Sequence, residues 1–176
     1  MSNTTILLDR NREFASTFSA AKLPVLPKLR SVVLTCGDSR VDPAHILGLE
    51  LGDAVVIRNN GGRVTQEVVH EIAALAFMVA MMDGDEAGPF ELIIIHHTQC
   101  GAERFADPEF QRVLKEQIGV DVSSSAIIDH EQSLREDVER LRSATEVPRH
   151  IVVSGFIYDV QNGSVREVIA PSAIEP

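Results

Sequence analysis

The chain has 176 residues, of which 44% are hydrophobic and 24% charged, a composition that carries a buried core and excludes general disorder. Its length fits one domain rather than two. Against 26 Asp and Glu there are 16 Lys and Arg, and the formal charge of −10 argues against nucleic acid or an anionic membrane as the main partner.

The N-terminal MSNTTILLDRNREF lacks the basic flank, apolar run and small-residue cleavage site of a secretory signal, and no stretch approaches ~20 apolar residues, so a cytoplasmic location is expected. A short amphipathic helix is predicted from about Arg10 to Ser19, with Phe14 and Phe18 one turn apart, followed by a connector punctuated by Pro24 and Pro27. Ser31 to Thr35 is apolar and β-branched, the pattern of a strand buried on both faces, and it ends at Cys36. A turn at Gly37-Asp38-Ser39-Arg40 and a short helical piece near Pro43 to Leu47 lead to a second buried strand, Ala54 to Ile57, and a loop from Arg58 to Gly62.

Thr65 caps a long helix that runs to about Met82, with Glu67 in its first turn. Val68, Ile72, Leu75, Phe77, Val79 and Met81 surround that helix and predict that it is largely buried. Leu92 to Ile95 form a third strand, which ends at His96-His97. Asp107-Pro108 opens a helix closed by Gly119, and Asp129 with Gln132 opens another that carries Leu134, Val138 and Leu141 on one face. A fourth strand starts at Ile151, and Phe156 to Val160 continue into an Asn162-Gly163 hairpin and Val165 to Ile169. The alternation predicts an α/β fold with a mostly parallel central sheet flanked by helices, an N-terminal helical arm and a C-terminal hairpin. In such sheets ligands bind at the carboxyl ends of the strands, where both Cys36 and His97 fall.

Cys36, His97 and Cys100 form a set suited to zinc: two thiolates and an imidazole match a borderline-soft ion, and three ligands leave one tetrahedral position open. Each cysteine taken alone also fits core filling, and a disulfide is disfavoured in a reducing compartment. His45, His70, His130 and His150 read as surface or core residues, whereas His96 would replace His97 if the strand register shifted by one. Asp38 and Arg40 follow Cys36 closely enough for a bidentate ion pair, which is an ordinary solvated turn in isolation. Beside a metal, that carboxylate would accept a hydrogen bond from the metal-bound oxygen while the arginine restrains it from becoming a ligand. Cysteine phosphatase chemistry is disfavoured, because three residues rather than five separate Cys36 from Arg40, and no phosphate-binding glycine motif is present.

Three blocks, Cys36-Gly37-Asp38-Ser39-Arg40, Gly52 to Gly62 and His97-Thr98-Gln99-Cys100-Gly101, resemble in order and spacing the signature blocks of the β-class carbonic anhydrases. The likeness runs from about Leu29 to Ala170. It implies that Cys36, His97 and Cys100 bind one Zn²⁺ per chain, that Asp38 and Arg40 form the catalytic dyad, and that Gly62 and Gly101 lie beside the substrate. It also implies a zinc-bound hydroxide that attacks carbon dioxide to give bicarbonate. Residues 1–30 would then be an arm exchanged within a homodimer or higher even oligomer, and 31–176 a single α/β domain. His96 stands where the family usually has glycine, and the chain has no tryptophan. The His-His-Thr form resembles a shorter branch whose members hydrolyse carbonyl sulfide or carbon disulfide, which makes those molecules the alternative substrates. A non-catalytic zinc-binding or redox-sensing role is the reading of another class, and the Asp38 and Arg40 pair speaks against it.

Overall fold

The computed structural model describes residues 2–83 and 90–174, so parts of the expected 31–176 unit, 84–89 and its last two residues, lie outside the description. Among these described residues, five strands form one sheet: β1 (Ser31–Cys36), β2 (Ala54–Asn59), β3 (Glu91–His97), β4 (Val152–Tyr158) and β5 (Val165–Ala173). Their order is β2-β1-β3-β4-β5, with the first four parallel and β5 antiparallel to β4. The expected mostly parallel α/β sheet with a terminal hairpin is therefore present. Gly163, at φ 77°, supplies the left-handed residue that the hairpin turn requires.

Among the described residues, five α-helices accompany the sheet: α1 (Asn3–Ser16), α2 (Pro43–Ile46), α3 (Gln66–Asp83), α4 (Pro108–Ile118) and α5 (His130–Ser143). Asp107 and Asp129 cap α4 and α5 as expected, each carboxylate accepting a backbone N–H of the first turn. Val32 and Leu34 of β1, Leu92 and Ile94 of β3 and Val153 of β4 share one connected core with Val68, Val69, Ile72 and Val79 of α3 and Leu134, Val138 and Leu141 of α5. No helix of the described residues is long and apolar enough to cross a membrane.

Three expectations are corrected. The first helix starts seven residues earlier than its apolar pattern suggested, because the Ser2 side chain caps it by accepting the Thr5 N–H; it ends at Ser16, so Phe18 lies beyond it. Helix α3 is not buried all round: Phe77 is 69% and Met81 72% exposed, because the sheet covers only the stripe bearing Val68, Val69, Ile72 and Val79. Strand β2 is half-buried rather than buried, since it is the sheet's edge and Val56 points outward.

Candidate metal centre

The parallel register brings the chemistry to one edge. Thr35 pairs with Ile95 and Cys36 with Asn59, so β1, β2 and β3 deliver Cys36, Asn59 and His97 to adjoining strand ends. Successive side chains on a strand face opposite ways, which separates the two adjacent histidines. His97 turns toward Cys36 and Cys100, and His96 turns toward Asp137 of α5, whose Oδ2 lies 3.3 Å from its Nε2.

The Sγ atoms of Cys36 and Cys100 are 3.9 Å apart, and the ligand atoms of Cys36, His97 and Cys100 all lie within 4.8 Å of one another. A disulfide requires about 2.05 Å between sulfurs, so both cysteines are free. Nδ1 of His97 is 3.0 Å from the Thr98 carbonyl oxygen. A carbonyl only accepts, so Nδ1 carries the proton and Nε2 presents its lone pair. That Nε2 is buried and has no hydrogen-bond partner among the described residues. A buried, unpartnered imidazole nitrogen facing two sulfurs is the donor set that zinc takes, with two thiolates and one neutral imidazole. The contact with Cys100 lowers the Cys36 thiol most, His97 lowers it further, and the same sulfur contact, aided by burial, raises Cys100.

At the mouth of this cluster Arg40 grips Asp38 with both faces of its fork, Nε to Oδ1 at 3.0 Å and Nη2 to Oδ2 at 2.7 Å. Hydrogen bonds from Arg40 hold the Asp38 carboxyl well below the usual carboxylate range, against an opposing contribution from burial. Nη2 of Arg40 also donates to the Gln99 carbonyl at 3.0 Å. Gln99 adopts φ 56°, a left-handed conformation uncommon outside glycine, within the turn that joins His97 to Cys100. Cys36, Gly37, Asp38, Asn60, Gly61, Gly101, Ala102 and Phe105 line the open cleft above the sulfurs.

The sequence-predicted residues Cys36, Asp38, Arg40, His97, Cys100 and Gly101 thus gather in one place. Gly62 lies beneath the cleft, where a Cβ would stand 2.9 Å from the backbone of Thr35 and Cys36. Several supporting residues escape a reading of the sequence. Arg58 donates to the carbonyls of Cys36, Asp38 and Val41 and so fixes the loop that carries the dyad. Buried Arg63 pairs with Asp137 at 2.9 Å, and Asn59 holds the backbone of Arg63 through both its amide N–H and its carbonyl. His130 is not an idle surface histidine, since it meets Glu103 at 3.0 Å beside Cys100. Arg58 lies in β2, which runs two residues beyond the expected Ile57, and only that place near the strand end could have pointed to it; Asp137 and His130 are brought in from distant sequence.

Fold and site together define an α/β protein with a Cys₂His cluster and a carboxylate–arginine pair at the carboxyl edge of a parallel sheet. The family model described as carbonic anhydrase matches residues 31–119, and the chain belongs to the β-class carbonic anhydrase family. It is 31% identical over 170 residues to β-carbonic anhydrase 1 of Mycobacterium tuberculosis, covering 96% of this chain and 99% of that one. A crystal structure of carbonic anhydrase from Streptococcus mutans superposes with a TM-score of 0.78 at 38% identity, covering 96% and 98% of the two chains. A carbon disulfide hydrolase of Acidithiobacillus thiooxidans is 26% identical, over 76% of this chain and 74% of its own length.

Proposed function

We propose that this protein catalyses the reversible hydration of carbon dioxide to bicarbonate at a zinc ion held by Cys36, His97 and Cys100. The observation that carries the reading is the meeting of these three ligand atoms within 4.8 Å, with Asp38 held 4.0 Å from Nε2 of His97. Bound there, zinc would supply a water molecule acidified enough to act as a nucleophile near neutral pH. Asp38, kept ionised by Arg40, would accept a hydrogen bond from that water and orient it, and Arg40 holds the carboxylate back from the ligand cluster. Gly101 contributes backbone at the cleft wall beside the substrate, and Gly62 keeps the wall close to Cys36. Ala102 and Phe105 give the cleft an apolar side suited to a linear, uncharged triatomic molecule.

Helix α1 has no buried residue, and Leu7, Leu8 and Phe14 are more than half exposed. Such a helix gains little from its own chain, which supports residues 1–30 acting as an arm laid on a second copy in a homodimer or higher even oligomer.

Carbon disulfide or carbonyl sulfide hydrolysis at the same site is the second reading, favoured by the relatedness to carbon disulfide hydrolases. Stopped-flow carbon dioxide hydration and sulfide release from both sulfur compounds, measured on one zinc-loaded preparation, separate the two. Hydration without sulfide release supports the proposal; sulfide release alone replaces it with the second reading, and zinc-loaded protein inert in every assay refutes both.

A further inference from the structure

Cys100 opens a 3-10 turn, Gly101–Ala106, and its backbone is held by a residue within that turn. The Cys100 N–H donates to Oε1 of Glu103 at 3.0 Å, while the Ala102 N–H donates to Sγ of Cys100 at 3.4 Å. Nε2 of His130, the first residue of α5, lies 3.0 Å from the same Oε1. A carboxylate oxygen only accepts here, so Nε2 of His130 carries a proton and donates it. Two donors from segments distant in sequence, Cys100 and His130, thus converge on one oxygen. The other face of this arrangement is packed: the His130 ring meets His96 edge-on at 6.0 Å between centroids, and His96 adjoins His97.

Each contact has a defined consequence. Glu103 closes the turn on Cys100, and a closed turn points the Ala102 N–H at the sulfur. A backbone donor on a thiolate stabilises its charge and restricts where its lone pairs point. His130 removes the freedom of the Glu103 side chain, which is otherwise 48% exposed and would sample several rotamers. None of this requires Glu103 to touch a substrate or a metal.

We infer that Glu103, anchored by His130, is a positioning residue for Cys100 and sets how tightly the three-ligand cluster retains its metal. The inference rests on the zinc reading proposed above, and its test separates the two. Zinc affinity would be measured by competition with a chromophoric chelator for the full-length parent, Glu103→Ala, Glu103→Gln, His130→Ala and the Glu103→Ala/His130→Ala double variant. The visible spectrum of each cobalt(II)-substituted protein reports the thiolate bonds independently of activity.

Glu103→Ala is expected to weaken zinc binding about 10–100-fold and to shift the cobalt–thiolate absorption. Glu103→Gln retains a carbonyl oxygen for the Cys100 N–H and is expected to keep most of the affinity. His130→Ala should weaken binding by a smaller factor, and the double variant should be no weaker than Glu103→Ala, because His130 acts through Glu103. Parental affinity and spectrum in Glu103→Ala, or effects that add in the double variant, would overturn the inference. If Glu103→Ala does not fold, parental zinc affinity in His130→Ala overturns it equally. A parent that binds no zinc refutes the metal reading, and this inference with it.

Discussion

Oδ2 of Asp38 stands 4.0 Å from Nε2 of His97, the nitrogen that faces the two sulfurs. The dyad and the ligand set are therefore one site, Cys36 and the dyad reaching it from the end of β1 and His97 from the end of β3. His96, one residue earlier, faces away toward Asp137, whose Oδ2 lies 3.3 Å from its Nε2. Purified protein is accordingly expected to carry one zinc per chain and to lose it in Cys36→Ser and His97→Ala, while His96→Ala keeps it. Elemental analysis after exhaustive dialysis measures this directly; zinc retained by His97→Ala but lost from His96→Ala would reverse the assignment of the ligand histidine.

Gly62 adopts φ 67°, and a Cβ there would lie 2.9 Å from the Cys36 nitrogen and the Thr35 carbonyl carbon. Both the backbone conformation and the space forbid a side chain. Gly62→Ala is expected to displace the end of β1 and lower both stability and zinc content, with Cys36 the ligand disturbed. A well-folded Gly62→Ala protein with parental zinc content and activity would mean that the loop yields without moving Cys36.

Arg63 and Asp137 form a buried pair, their side chains 8% and 1% exposed, that ties the loop after β2 to α5. Asp137→Asn leaves the guanidinium buried without its full counter-charge, a loss of about 3–5 kcal/mol by analogy with other broken buried pairs. For a domain of this size that lowers the melting temperature by roughly 10 °C. Thermal unfolding followed by circular dichroism tests the loss, and the double variant Arg63→Met/Asp137→Leu should recover much of it because no lone charge remains. An unchanged melting temperature in Asp137→Asn would show that the pair contributes nothing.

Strand-end placement is why so much of the site was legible in sequence. Buried parallel strands such as Ser31–Cys36 announce themselves by continuous apolar runs, and the residue that ends such a run must lie at the sheet's carboxyl edge. The dyad was legible because its members are two residues apart. Helix α3 misled because periodicity reports apolar faces without saying what covers each one, and its Phe77 and Met81 lie exposed in the single chain. Strand β2 misled for a related reason: an apolar run does not distinguish an edge from a centre when strand order is unknown. The supports from Arg63, Asp137 and His130 were invisible because their partners are brought together only by the tertiary fold.

The exposed apolar residues of α1 and the Phe77 and Met81 stripe of α3 are surfaces that a second copy could cover. Removing the residues before Leu23 is expected to weaken association and reduce activity together. Light scattering across a dilution series, with activity measured at each concentration, checks both. A fully active monomer would contradict the arm's proposed role.

The pH dependence follows from the Asp38 and Arg40 pair. Arg40 depresses the Asp38 pKa, so the folded carboxyl takes up a proton less readily than an unfolded one, whose value is about 3.9. The sign is fixed by linkage: stability from the pair is complete above the unfolded value and is lost as pH falls toward the folded one. The urea midpoints of parent and Asp38→Asn should therefore differ by a constant amount above about pH 5 and converge below about pH 4. That gap should be small, because the Arg40 side chain is 47% exposed to solvent. Asp38 remains ionised through the neutral range, and an acid limb of activity above about pH 5 must arise from another group. The parent profile is expected to rise through and above neutral pH, since two thiolates would neutralise a dication bound between them and make it a weaker acidifier of water than one held by three imidazoles. Arg40→Ala frees the Asp38 carboxylate, only 4.0 Å from Nε2 of His97, to swing into the ligand cluster. Its kcat/KM should fall about 10-fold or more with zinc content unchanged, and alkaline pH should not restore it. Arg40→Lys keeps the charge without the fork and should lie between the two. A parent profile flat from about pH 6 to 9, or full activity in Arg40→Ala anywhere in that window, would show that this carboxylate and its arginine are not part of the catalytic machinery.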